Sequence, residues 1–163
     1  MLGTSPDSPR FNVLLAEDPQ RADADWATPL SRLLKPQGFV PLHAESGHQA
    51  LELAEKQTLH AALIDLATPR HPDKRPTGGT ASPESGGLWL LEVLHRRPDA
   101  PPIVVVNNQR LDAAAFQRYV NAALQLGAFS VLNFPVRIEA LLTVIRKLID
   151  RRYQGNWPEL QNN

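Results

Sequence analysis

Two stretches decide the architecture, FNVLLAED at 11–18 and AALID at 61–65. Each is a short apolar run with no polar alternation, and each ends in a carboxylate. Runs of this length that are apolar at both odd and even positions suit strands buried on both faces. FVPLH from Phe39, PIVVV from Pro102 and SVLN from Ser130 have the same character, so five strands are implied. Helical spacing fills the intervals. Across 112–126, Phe116, Val120 and Leu124 recur every four residues, with Asp112 placed to cap the start. Across 138–153, Leu141, Leu142, Ile145, Leu148 and Ile149 form one stripe. Regular alternation of strand and helix predicts an α/β fold with a parallel sheet between helical layers.

Two segments interrupt that rhythm. The first helix lies within 22–37 and contains Pro29, which either kinks it or marks its true start. The stretch TPRHPDKRPTGGTASPESG, 68–86, holds four prolines and little to bury, so a long surface loop is expected after the third strand. Residues 1–10 and 154–163 read as tails around one domain at 11–153, and no internal repeat is present.

The 163 residues suffice for one sizeable core. Lys plus Arg and Asp plus Glu are 17 each, so the formal net charge is zero and the drive toward nucleic acid or anionic membranes is missing. There is no cysteine, which excludes disulfides, thiolate catalysis and cysteine-ligated zinc and fits a cytoplasmic location. No apolar run reaches the roughly 18 residues of a membrane span, and the N-terminus lacks a signal-peptide core. The expectation is a protein without nucleic-acid or membrane partners.

In a parallel α/β sheet, ligands gather at the carboxyl edge of the strands. Glu17 and Asp18 follow the first strand and Asp65 ends the third, so three carboxylates should meet there. Such a group repels itself unless a cation neutralises it, and hard oxygen ligands suit Mg²⁺. With a metal shielding the incoming charge, a carboxylate is a competent nucleophile toward a phosphoryl donor, and Asp65 is the candidate. A single carboxylate at a strand end is more often a helix cap or a solvated charge; their shared location is what favours a site. The scattered His43, His48, His60, His71 and His95 show no ligand spacing. Trp89 reads as core, and Trp157 as a residue of the tail that folds back or forms a contact patch.

Across 11–152 the sequence resembles the receiver domain of two-component response regulators, the CheY-like superfamily. LLAED resembles the family's first strand and acidic pair, AESGHQALELAEK its second strand and helix, and LIDLATP its phosphoacceptor strand and loop. GGLWLLEVLHRRPDAPPIVVV is similar to its third helix and fourth strand, and LGAFSVLNFP to the segment around its fifth. The resemblance implies a flavodoxin-like three-layer sandwich with strand order 2-1-3-4-5 and phosphorylation at Asp65. It also implies Mg²⁺ held by Glu17, Asp18, Asp65 and the backbone carbonyl of Ala67.

The departures lie at the positions that handle phosphate. Where the family has Thr or Ser after the fourth strand, this chain has Asn107. The family's switch aromatic corresponds to Val131, and its Lys-Pro to Phe134-Pro135, so the ammonium is gone while Pro135 keeps the potential for a cis peptide. Asn133 and Arg137 stand near the gap. Gly87 lies 22 positions past Asp65 (87 − 65) against about eight in the family, an insertion of about 14 residues that borders the site.

These features lead to a stand-alone, atypical receiver with a histidine kinase or phosphotransfer protein upstream and a protein target downstream, as a monomer or weak homodimer. The alternative is a phosphorylation-independent adaptor working by contact. A phosphohydrolase with a carboxylate nucleophile would want a second acid two residues after Asp65, where Ala67 stands.

Overall fold

The computed structural model describes residues 11–20, 25–71, 86–107, 110–133 and 135–153. Five strands, β1 (Phe11–Ala16), β2 (Phe39–Ala44), β3 (Ala61–Asp65), β4 (Ile103–Val106) and β5 (Ser130–Leu132), form one parallel sheet in the order β2-β1-β3-β4-β5. Five α-helices alternate with them: α1 (Ala27–Leu34), α2 (Gly47–Lys56), α3 (Gly86–His95), α4 (Ala113–Gln125) and α5 (Ile138–Arg152). The parallel α/β architecture is the one expected from the alternation, and the flavodoxin-like strand order is the one the resemblance implies.

Period-two alternation along each strand divides the core. Val13, Leu15, Leu63, Val104 and Val106 face α1 and α5, meeting Leu30, Leu34, Leu141 and Ile145. Leu14, Ala62, Ile64, Ile103 and Val105 face the other layer, meeting Ala50 of α2, Leu90, Leu91 and Leu94 of α3 and Ala123 of α4. β1, β3 and β4 are buried almost throughout, as their composition implies, whereas every residue of the edge strand β5 is only half-buried.

Pro29 marks a start. α1 begins at Ala27, which puts Pro29 in the first turn, where backbone N–H groups lack helical partners and a missing one costs little. Asp112 caps α4 as expected, its Oδ1 accepting from the Ala115 N–H at 2.7 Å. The apolar stripe of α4 needs correction. Ala123 is its buried residue and Tyr119, Ala122 and Leu126 pack beside it, while Leu124 is 50% exposed. A strict four-residue repeat drifts from the 3.6-residue turn, so Phe116, Val120 and Leu124 do not stay on one inward face. No described helix is long and apolar enough to cross a membrane.

The stretch 68–86 also differs from a plain surface loop. Thr68 and Pro69 are buried, and the carbonyls of Pro69 and Arg70 accept from Gly47 and His48 at the start of α2. α3 starts at Gly86, inside the expected loop, and Arg70 lies 4.3 Å over the half-buried ring of Trp89. Residues 72–85 of the insertion, the N-terminal residues 1–10 and the tail 154–163 with Trp157 lie outside the described residues.

Candidate functional site

Asp65 closes β3 at the carboxyl edge of the sheet and is 5% exposed. Its backbone is fixed on both sides. Leu66 N–H continues the ladder to the Val106 carbonyl, and the Thr68 amide and hydroxyl both donate to the Asp65 carbonyl, the hydroxyl at 2.7 Å. The turn that follows folds back onto the side chain, so that Ala67 N–H donates to Asp65 Oδ1 at 2.8 Å. Gly87 seals this turn from the α3 side. A Cβ there would lie 2.6 Å from the Asp65 carbonyl oxygen, closer than packed atoms come.

The second carboxylate oxygen has a partner that sequence reasoning missed. Trp26, at the N-cap of α1 and 2% exposed, donates its indole Nε1–H to Asp65 Oδ2 at 3.0 Å. Alternation explains the meeting, because Asp65 shares a strand face with Ala61 and Leu63, and α1 covers that face. The available signal was a tryptophan in ADADW, immediately before a helix and close to the acidic loop.

Glu17 and Asp18 follow β1 at the same edge, and the Glu17 N–H donates to the Ala44 carbonyl of β2. Burial, then the carboxylates of Asp25, Asp65, Asp18 and Glu45, push Glu17 up from the ordinary 4.5 to about 7. Glu17, Asp18 and Asp65 thus stand at the ends of two neighbouring strands, at one edge of the sheet. Among the described residues, no three His, Asp or Glu side chains close on one point as a ready ligand set. The donor chemistry nonetheless suits a hard cation, since oxygen ligands are what Mg²⁺ takes and, after burial, neighbouring carboxylates add to what disfavours the charged Glu17.

Across the edge, Asn107 is fully buried at the end of β4, and its N–H donates to the Leu132 carbonyl at 2.7 Å. Its side-chain Nδ2 donates to Asn133 Oδ1 at 2.8 Å. Val131 is half-buried and packs with the layer of α2, α3 and α4, and Arg137 is the N-cap of α5. Phe134 lies outside the described residues, so neither its side chain nor the form of its peptide bond to Pro135 is described.

No family model matches the chain. It is 22% identical over 137 residues to a Rickettsia bellii protein described as an NtrX-like response regulator, covering 84% of this chain and 24% of that protein. The chain thus spans about a quarter of this curated relative. Among solved structures it is similar to the signal receiver domain of a LuxO repressor protein from Vibrio parahaemolyticus, with a TM-score of 0.64 and 19% identity, covering 95% of this chain and 99% of that one. A response regulator from Chloroflexus aurantiacus has a TM-score of 0.64 and 20% identity, covering 88% and 100%. A sensor protein from Polaromonas has a TM-score of 0.62 and 25% identity, covering 88% and 98%. The sheet order, the acidic carboxyl edge and these likenesses agree, and the chain carries the CheY-like receiver-domain fold of response regulators.

Proposed function

We propose that the chain is a signal-transduction receiver that takes a phosphoryl group at Asp65 from a histidine kinase or phosphotransfer protein. It passes its state to a downstream protein by contact and acts on no external substrate. The supporting observation is a buried carboxylate at the carboxyl end of a central strand, with Oδ1 on the Ala67 amide and further acids around it. Mg²⁺ would be held by Glu17, Asp18, Asp65 and the carbonyl of Ala67, and it would supply the positive charge that offsets the approach of one anion to another. The chain's own part is orientation. The backbone amide holds one carboxylate oxygen, the Asp65 carbonyl is anchored by Thr68, and Asn107 offers an amide where the family has a hydroxyl.

A second reading, a phosphorylation-independent adaptor, is favoured by the Trp26 indole on Asp65 Oδ2 and by the Asn107–Asn133 pair. Incubation with acetyl phosphate and Mg²⁺, followed by intact-mass spectrometry, separates the two. A phosphoryl adduct absent from Asp65→Ala supports the receiver. No adduct, together with no Mg²⁺-dependent change in thermal stability, leaves the adaptor.

A further inference from the structure

We infer that Trp26 is the gate on Asp65: with its indole N–H on Oδ2 the carboxylate is closed to a phosphoryl donor, and loading the carboxylate expels the ring. The inference rests on Asp65 being the acceptor, as proposed above, and adds where the conformational change begins.

Both oxygens of Asp65 carry a donor, but the two donors differ in kind. Ala67 N–H belongs to the backbone turn and adds no bulk beside Oδ1. Trp26 brings a whole indole to Oδ2, and that ring is 2% exposed and part of the core layer with Leu30, Leu141 and Ile145. Transfer from acetyl phosphate forms an Asp65 O–P bond and breaks the P–O bond to acetyl, and acetate leaves with the electron pair. The acceptor then carries three further oxygens, which on Oδ2 compete with the buried indole, 3.0 Å away, for the same close-packed space.

The ring is coupled to the start of α1. Trp26 supplies no side-chain cap to α1, whose first turn is held by its carbonyl accepting from Leu30 and by Asp25 Oδ1 accepting from the Thr28 N–H. Displacing the indole therefore disturbs the start of α1 together with Asp25, which adjoins Trp26 and accepts from the Thr28 N–H. On the opposite side, Asn107 is tied to Asn133 and Val131 replaces the family's aromatic residue. Trp26 thus supplies a moving aromatic from the β1–α1 side.

The test compares the parent with Trp26→Phe and reads Trp26 emission in a second variant. Trp26→Phe keeps a ring and removes the N–H; with acetyl phosphate and Mg²⁺ it should form the Asp65 adduct about tenfold faster than the parent, the equivalent of one hydrogen bond. In Trp89→Phe/Trp157→Phe, emission comes from Trp26 alone, and this readout stands even if Trp26→Phe folds poorly. Beryllofluoride with Mg²⁺ should shift that emission to the red and increase acrylamide quenching, with neither change in the same background carrying Asp65→Asn. Equal rates in parent and Trp26→Phe, or unchanged emission in a protein that carries the adduct, overturn the gate and leave the receiver reading standing. If the parent takes no phosphoryl group, an adduct gained in Trp26→Phe supports a gate held shut. Both proteins inert would sink the gate and the acceptor role together.

Discussion

Asn107 and Asn133 join the ends of β4 and β5 through one amide-to-amide hydrogen bond of 2.8 Å, with Asn107 fully buried. A hydroxyl that swings toward a phosphoryl group is mobile by design; a buried amide bonded to the neighbouring strand end is not. On the proposed reading, a fixed amide thus stands where the resemblance implies a mobile hydroxyl.

Truncating that pair should show the coupling. Asn107→Ala should cost about 1–3 kcal/mol in urea unfolding, because it also empties buried space. A double-mutant cycle with Asn133→Ala should give a coupling of about 1 kcal/mol. Strict additivity would contradict the bond.

Gly87 tests the turn beneath Asp65. Gly87→Ala puts a Cβ 2.6 Å from the Asp65 carbonyl oxygen and 2.7 Å from the Leu66 Cα, both backbone atoms that cannot rotate away. The expected loss is about 1–3 kcal/mol, with a slower or weaker Asp65 adduct as the turn is displaced. A variant as stable as the parent would mean that α3 can shift freely at its start.

Two titrations predict opposite slopes of stability with pH. The Asn12 N–H donates to His60 Nδ1 at 2.9 Å, which requires a neutral ring, and burial lowers His60 below the ordinary 6.5. The unfolded chain then binds the proton more readily, so this contribution is complete above 6.5 and is lost as pH falls toward the folded value. His60→Gln should flatten the acid limb of a stability profile; an unchanged limb would exclude His60 as its source.

Glu17 has the reverse sign. Raised from 4.5 to about 7, it contributes most below 4.5 and loses that contribution as pH rises through about 7. Without Mg²⁺, Glu17→Gln should melt higher than the parent at pH 8 and about equally at pH 4.5. It should also gain less from added Mg²⁺, and a full Mg²⁺ gain in the variant would remove Glu17 from the ligand set.

Much of this molecule is legible in its sequence, for one physical reason: strands buried on both faces must be apolar throughout, and helices against them must be apolar on one stripe. FNVLLA, AALID and IVVV therefore announce the central strands, Leu141 to Ile149 announces the inner face of α5, and the carboxylates at two strand ends mark the edge of the proposed site. Tertiary structure alone decided the distant partner of Asp65 and the partner of Asn107. The Trp26–Asp65 bond spans 39 residues and depends on how α1 lies on the sheet, and the Asn107–Asn133 bond spans 26. Neither contact has a periodic signal, because a hydrogen bond between distant segments depends on how they pack together and not on the spacing within either one.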